Sequence, residues 1–294
     1  MKNKPQLALT LAFLAFVVWW ASFQHVVTKQ GLSVQWFGGT YGVLALFGAV
    51  AGFTAAHKWG GFKTVLGKAL TLFSFGLLAQ EAGQLIYTYY IYGAKIQIPY
   101  PSWGDAAYFG SVLIYVAAAL VLSHLSGVKF SLKENKGRAV AVLVPLVLLS
   151  ASYWIFLYHH QYDTSKPLTV FLDFGYPMVQ AIYISIAITA YLLSLKMLGG
   201  VMKNGIRLIV LALTVQYVAD FNFVYQSSRG TYLSGKYADL IYLVSYFAMA
   251  TALLKFRTIH NGLRKKVQAT PPAPAAPAPT PEAPTPDANT TEGA

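Results

Sequence analysis

The sequence predicts an all-α, polytopic integral membrane protein with eight transmembrane helices and both termini cytoplasmic. Three observations predict it. Of its 294 residues, 56% are hydrophobic and only 11% are charged, against about 25% charged in an average soluble domain. The apolar residues fall into eight runs, each near the ~20 residues that cross ~30 Å of hydrocarbon as a helix. With the N-terminus inside, 17 Lys and Arg residues fall on the cytoplasmic side and five outside, the asymmetry that orients membrane proteins. That split also accounts for the net charge of +12 without nucleic acid, because the cations sit in short loops beside anionic lipid.

The first run, residues 6–26, follows a basic start like a signal peptide, but it is long, carries Trp19 and Trp20, and lacks a small-x-small cleavage site. It reads as the first span. The second, residues 33–56, contains Gly38, Gly39, Gly42, Gly48 and Gly52, which suit close helix packing. The third and fourth, 69–92 and 104–125, form a hairpin that turns on Pro99 and Pro101. The fifth, 139–158, carries Pro145 as an expected kink. The sixth, seventh and eighth are 168–195, 207–226 and 237–256. The transmembrane domain therefore covers residues 1–257, a basic juxtamembrane segment 258–269 extends the eighth helix, and a Pro/Ala-rich stretch 270–294 is expected to be a disordered cytoplasmic tail. There is no cysteine, which excludes disulfides and thiolate chemistry.

Carboxyl groups are expensive in a bilayer, and those present usually mark function. Five lie in spans: Glu81, Asp105, Asp173, Asp220 and Asp239. Glu81 and Asp220 sit about 18–20 Å along outward-running helices, near mid-bilayer. The other three lie near the outer starts of the inward-running helices. None occupies the inner half.

An internal echo accompanies them. Asp105-x-x-Tyr108, Asp173-x-x-Tyr176 and Asp239-x-x-Tyr242 recur at the same place in three inward-running helices, and residues three apart share a helix face. Gln84 and Gln180 continue such stripes, as do Gln80, Tyr87, Tyr115, Tyr183, Gln216 and Tyr246. The last six helices thus read as three related hairpins with an N-terminal pair added in front. A structural role competes for the shallow acids: an Asp in a first turn complements the helix dipole, and Ser102-x-x-Asp105 has capping-box spacing. Glu81 and Asp220 are too deep for caps and are either packing residues held by hydrogen bonds or the floor of a cavity.

These motifs resemble those of the polytopic membrane sensor regions that precede GGDEF diguanylate cyclase domains, and some histidine kinases, in bacteria. The similarity runs from about residue 70 to 254. It rests on Pro101, Ser102, Asp105 and Tyr108, on Tyr176 and Pro177, and on Asp220 and Asp239. It departs at Gln180, where the family often has an acid, and after residue 269, where the Pro/Ala stretch stands in place of an output domain. The resemblance implies a sensing scaffold.

Other chemistry finds little footing. His159-His160-x-x-Asp163 reads as a solvated polar loop rather than a metal site. No span carries a mid-helix lysine for a Schiff base, no cofactor is expected, and no nucleophile is specified beside Glu81 and Asp220. The expectation is a sensor whose outward-facing, tyrosine-walled cavity binds a small polar or cationic ligand, or protons. Glu81 and Asp220 form its floor, Asp105, Asp173 and Asp239 its mouth, and Tyr108, Tyr176 and Tyr242 supply hydroxyls and ring faces. Gln84 and Gln180 complete the ligand-binding set. Its partners would be membrane lipids and a cytoplasmic signalling protein acting in trans. A lipid-directed enzyme and a small-solute transporter are the alternatives.

Overall fold

A computed structural model describes residues 4–24, 32–96, 98–125, 132–158, 163–194, 202–228 and 231–269. The described residues form nine α-helices and no strand: α1 Lys4–Gln24, α2 Leu32–Thr40, α3 Val43–Lys58, α4 Val65–Thr88, α5 Trp103–Leu125, α6 Asn135–Ser152, α7 Pro167–Ser194, α8 Lys203–Ser228 and α9 Tyr237–Ala269. Helices α2 and α3 run nearly end to end as one span, which leaves eight helices long and apolar enough to cross a bilayer. This is the build of a multi-pass membrane protein.

Surface composition supports it independently. Leu7, Leu11, Leu14 and Val18 of α1, and Val142, Leu143, Leu146 and Val147 of α6, are all about half exposed or more. Apolar stripes of that extent are a liability in water and the expected face toward lipid.

Six elements close into a ring: α3 packs on α4, α4 on α5, α5 on α7, α7 on α8, α8 on α9, and α9 back on α3. Helix α1 lies outside it against α9, and α6 lies outside against α7. The core follows the inner faces, with Phe73, Leu77, Tyr115, Tyr183, Leu213, Leu243 and Leu253 buried. Small residues of α3 permit its close approach to two neighbours at once. A Cβ on Gly48 would meet both Leu77 and Ala250, and one on Gly52 both Ser74 and Leu253, the small-residue packing expected of membrane helices.

One expected element is divided. The second span was expected as a continuous helix over 33–56, but the ladder is interrupted at Tyr41 and Gly42. Tyr41 N–H still reaches the Phe37 carbonyl at 3.1 Å and Leu46 N–H the Gly42 carbonyl at 3.2 Å, with three-residue bonds between them. The Gly38 carbonyl instead accepts Gln84 Nε2 at 2.5 Å. A side chain inserted at a helix carbonyl is a recognised cause of such breaks. At the other end of the chain, residues 258–269 continue α9 without interruption. The stretch 270–294 lies outside the described residues.

A tyrosine-lined cavity with three carboxyl groups

A hollow of about 540 Å³ lies inside the ring, lined by α4, α5, α7, α8 and α9 with Gly38 and Tyr41 from the second span. It reaches from Gln80, Val112 and Tyr246 at mid-depth to Ile98, Tyr100 and Ser234 in the connections at one end. The bundle's other end carries most of the cations among the described residues, with Lys58, Lys63, Lys203, Arg207 and Lys255 there. Nine tyrosines line the hollow, together with Asp105, Asp173 and Asp220, and no lining residue described is Lys, Arg or His.

Each of the three carboxyls collects donors from other elements. Asp105 begins α5, where Ser102 N–H and Ser102 Oγ both donate to its Oδ2 at 2.7 Å. Its own N–H returns to Ser102 Oγ at 3.3 Å, so the capping box closes and two backbone donors of the helix start are satisfied. Its Oδ1 accepts Tyr87 from α4 at 2.8 Å and Tyr176 from α7 at 3.4 Å. Asp105 thus serves as both a cap and a cavity wall. Asp173, in the second turn of α7, accepts the Tyr100 hydroxyl at 2.7 Å. Burial pushes that hydroxyl well above its ordinary pKa, with Asp173 adding to the effect, so Tyr100 keeps its proton and donates. Asp220 lies deepest. It accepts Tyr242 at 2.8 Å and Gln216 at 3.0 Å on Oδ1, and Tyr183 at 3.4 Å on Oδ2.

The Asp-x-x-Tyr echo acquires a geometry. Its tyrosines do not bond their own aspartates. Tyr108 of α5 donates to Gln84 of α4 at 2.9 Å, Tyr176 of α7 to the Asp105 carbonyl of α5 at 3.1 Å, and Tyr242 of α9 to Asp220 of α8. Each one ties its helix to a neighbour in the ring. The glutamines do related work. Gln84 Oε1 also accepts Tyr41 at 3.1 Å, while Gln80 donates to Ser111 at 2.7 Å and accepts Tyr246 at 3.2 Å. Gln180 is buried and lines the hollow, and carries no hydrogen bond among the described residues.

Eight of the ten expected ligand-binding residues therefore surround one void, and two do not. Glu81, expected in its floor, turns away from it. Its Oε2 is buried without a hydrogen-bond partner and lies only 2.1 Å from where a Cβ on Gly42 would stand. The cause is angular, since consecutive helix residues diverge by about 100° and Gln80 and Gln84 take the inward positions. Asp239, expected at the mouth, turns back onto the segment before its own helix. It accepts Gly235 N–H at 2.6 Å, Tyr232 at 2.9 Å and Ser234 at 3.4 Å. Its part is to hold Tyr232 and Ser234, which do line the hollow. Burial first, then Asp239, raises the Tyr232 pKa.

Several lining residues escaped the sequence reading: Gly38, Tyr41, Tyr92, Tyr100, Tyr232 and Ser234. Tyr41 and Gly38 belong to the second span, which has no acid to draw attention to it. The others sit in connections or in the wide π turn of Tyr89–Gly93 that ends α4. Their signal was the density of tyrosine at this end of the bundle. In the connection before α7, Asp163 bonds Ser165 and Lys166, and the Ser165 hydrogen bonds hold its carboxyl below the usual range. His159 and His160 lie outside the described residues. No family model, curated protein or solved structure matches the chain.

Proposed function

We propose that this protein is a membrane-embedded receptor whose cavity opens away from the cytoplasm and takes a small organic cation. One observation carries the reading: three carboxyls and nine tyrosines line the cavity, with no described Lys, Arg or His among them. Charge buried in a low-dielectric interior needs a counter-charge. Any charge on Asp105, Asp173 or Asp220 is balanced here by protons or by a bound cation. A proton needs no room, whereas a void of about 540 Å³ falls within the usual size of a small-molecule site. Tyrosines whose hydroxyls are engaged by Asp and Gln acceptors line that void, and aromatic ring faces attract ammonium groups.

The remaining parts of the reading fit the same frame. The basic end faces the cytoplasm by the positive-inside rule, which puts both termini inside and the cavity mouth outside. The membrane is the cytoplasmic membrane of a prokaryote. Helices α4 to α9 are three related hairpins, consistent with the resemblance to bacterial sensor regions. A cation drawn to Asp220 and Tyr242 acts directly on α9, whose far end carries Arg264, Lys265 and Lys266. The signal passes from there to a cytoplasmic partner in trans.

The test is thermal unfolding of the detergent-solubilised protein against a panel of primary, quaternary and guanidinium cations and their neutral isosteres. At least one cation is expected to raise the Tm of the wild type and to lose that effect in Asp220→Asn and Asp173→Asn. Equal stabilisation by neutral isosteres, or an unchanged shift in both variants, refutes the reading.

A further inference from the structure

A second hollow, about 880 Å³, lies at the basic end between α1, α8 and α9, with Tyr191 of α7 at its wall. It exists because α1 packs on α9 and α3 rather than on α8. Gln6 of α1 donates to Thr251 of α9 at 3.2 Å, and a cleft toward α8 is left beside that contact. Two helix stripes face into it. On α8 these are Asn204, Arg207 and Leu211, and on α9 Thr251, Lys255 and Thr258, each at the three- and four-residue spacing that keeps one face. Arg207 and Lys255 are exposed, neither is in an ion pair among the described residues, and no described lining residue is acidic.

Two like charges facing a shared cleft repel unless an anion lies between them. The apolar side of the cleft identifies the kind of anion. Leu211, one turn from Arg207, is 53% exposed on a helix that crosses the bilayer, so the cleft continues into the hydrocarbon. We propose that it holds the headgroup of an anionic phospholipid from the leaflet at the basic end. The Arg207 guanidinium presents its donor fork to the phosphate and Lys255 adds a point charge. Thr251 and Asn204 hydrogen-bond the glycerol and ester oxygens, and Leu211 lies along the acyl chain. Basic pockets between transmembrane helices at the cytoplasmic face recognise such headgroups. The proposal is independent of what the tyrosine-lined cavity binds.

Native mass spectrometry of the full chain, titrated with phosphatidylglycerol and with phosphatidylcholine of the same acyl chains, tests it. The wild type is expected to retain phosphatidylglycerol about tenfold more strongly, Arg207→Gln/Lys255→Gln to lose that preference, and Lys63→Gln/Lys68→Gln, cations of the same end outside the cleft, to keep it. Excess inorganic phosphate is expected not to displace the lipid. The proposal is overturned if the cleft variant keeps the preference, if both variants lose it equally, or if free phosphate displaces the lipid. Should the cleft variant not fold, photoactivatable phosphatidylglycerol on the wild type decides. Adducts within residues 204–214 or 251–258 support the site, and adducts confined to other segments overturn it.

Discussion

At the residue scale, close approach governs what the bundle tolerates. A Cβ on Gly76 would stand 2.3 Å from the ring of Tyr115, and that ring is fully buried. Gly76→Ala is therefore expected to destabilise the protein by about 1–3 kcal/mol, the usual cost of overpacking. Gly110→Ala, where nothing lies within 4 Å, should instead be neutral or gain up to about 1 kcal/mol from helix propensity. Thermal unfolding of the two variants side by side checks both signs. Position along a helix was legible in the sequence, because 1.5 Å of rise per residue places Glu81 and Asp220 at similar distances from the starts of α4 and α8. Azimuth was not. Asp220 and Glu81 have similar positions along their helices and the same chemistry, yet one faces the void and the other faces Gly42, a difference set by how α3 and α4 pack rather than by anything local.

Among the elements, the interrupted second span is the main departure from the expected pattern, and Gln84 explains it. The side chain contacts three partners at once: the Gly38 carbonyl and the hydroxyls of Tyr41 and Tyr108. Gln84→Leu leaves these groups unpaired in the interior, at about 1–3 kcal/mol for each that finds no new partner. It also frees the Gly38 carbonyl to accept Gly42 N–H. Hydrogen exchange should then slow at Gly42 while global stability falls, and unchanged exchange at Gly42 would dissociate the break from Gln84. Spans were readable as apolar runs because bilayer thickness dictates their length. The break was not readable, since its cause lies 46 residues away along the chain. The capping box at Ser102 and Asp105 was readable because both partners are local.

For the whole molecule, a closed six-helix ring leaves α1 and α6 as peripheral helices facing lipid, and the cavity is lined by the ring together with Gly38, Tyr41 and the connections at one end. Which spans meet around a common void followed from the acids they carry. That Tyr41 of the acid-free second span joins them did not. Orientation is testable cleanly, because the chain has no cysteine and each introduced thiol is unique. Lys166→Cys and Lys236→Cys, at the cavity end, are expected to react with a membrane-impermeant maleimide in intact spheroplasts. Lys63→Cys and Lys203→Cys, at the basic end, should react only after permeabilisation. The reverse pattern would turn the cavity toward the cytoplasm.

The most direct measurement is isothermal titration of the nanodisc-embedded protein with the cation that gives the largest thermal shift and with its neutral isostere. Saturable one-to-one binding of the cation, absent for the isostere and weakened about tenfold or more in Asp220→Asn, is the predicted result. Absence of saturable cation binding, or equal affinity for the neutral isostere, would contradict a cavity built around its carboxyl groups.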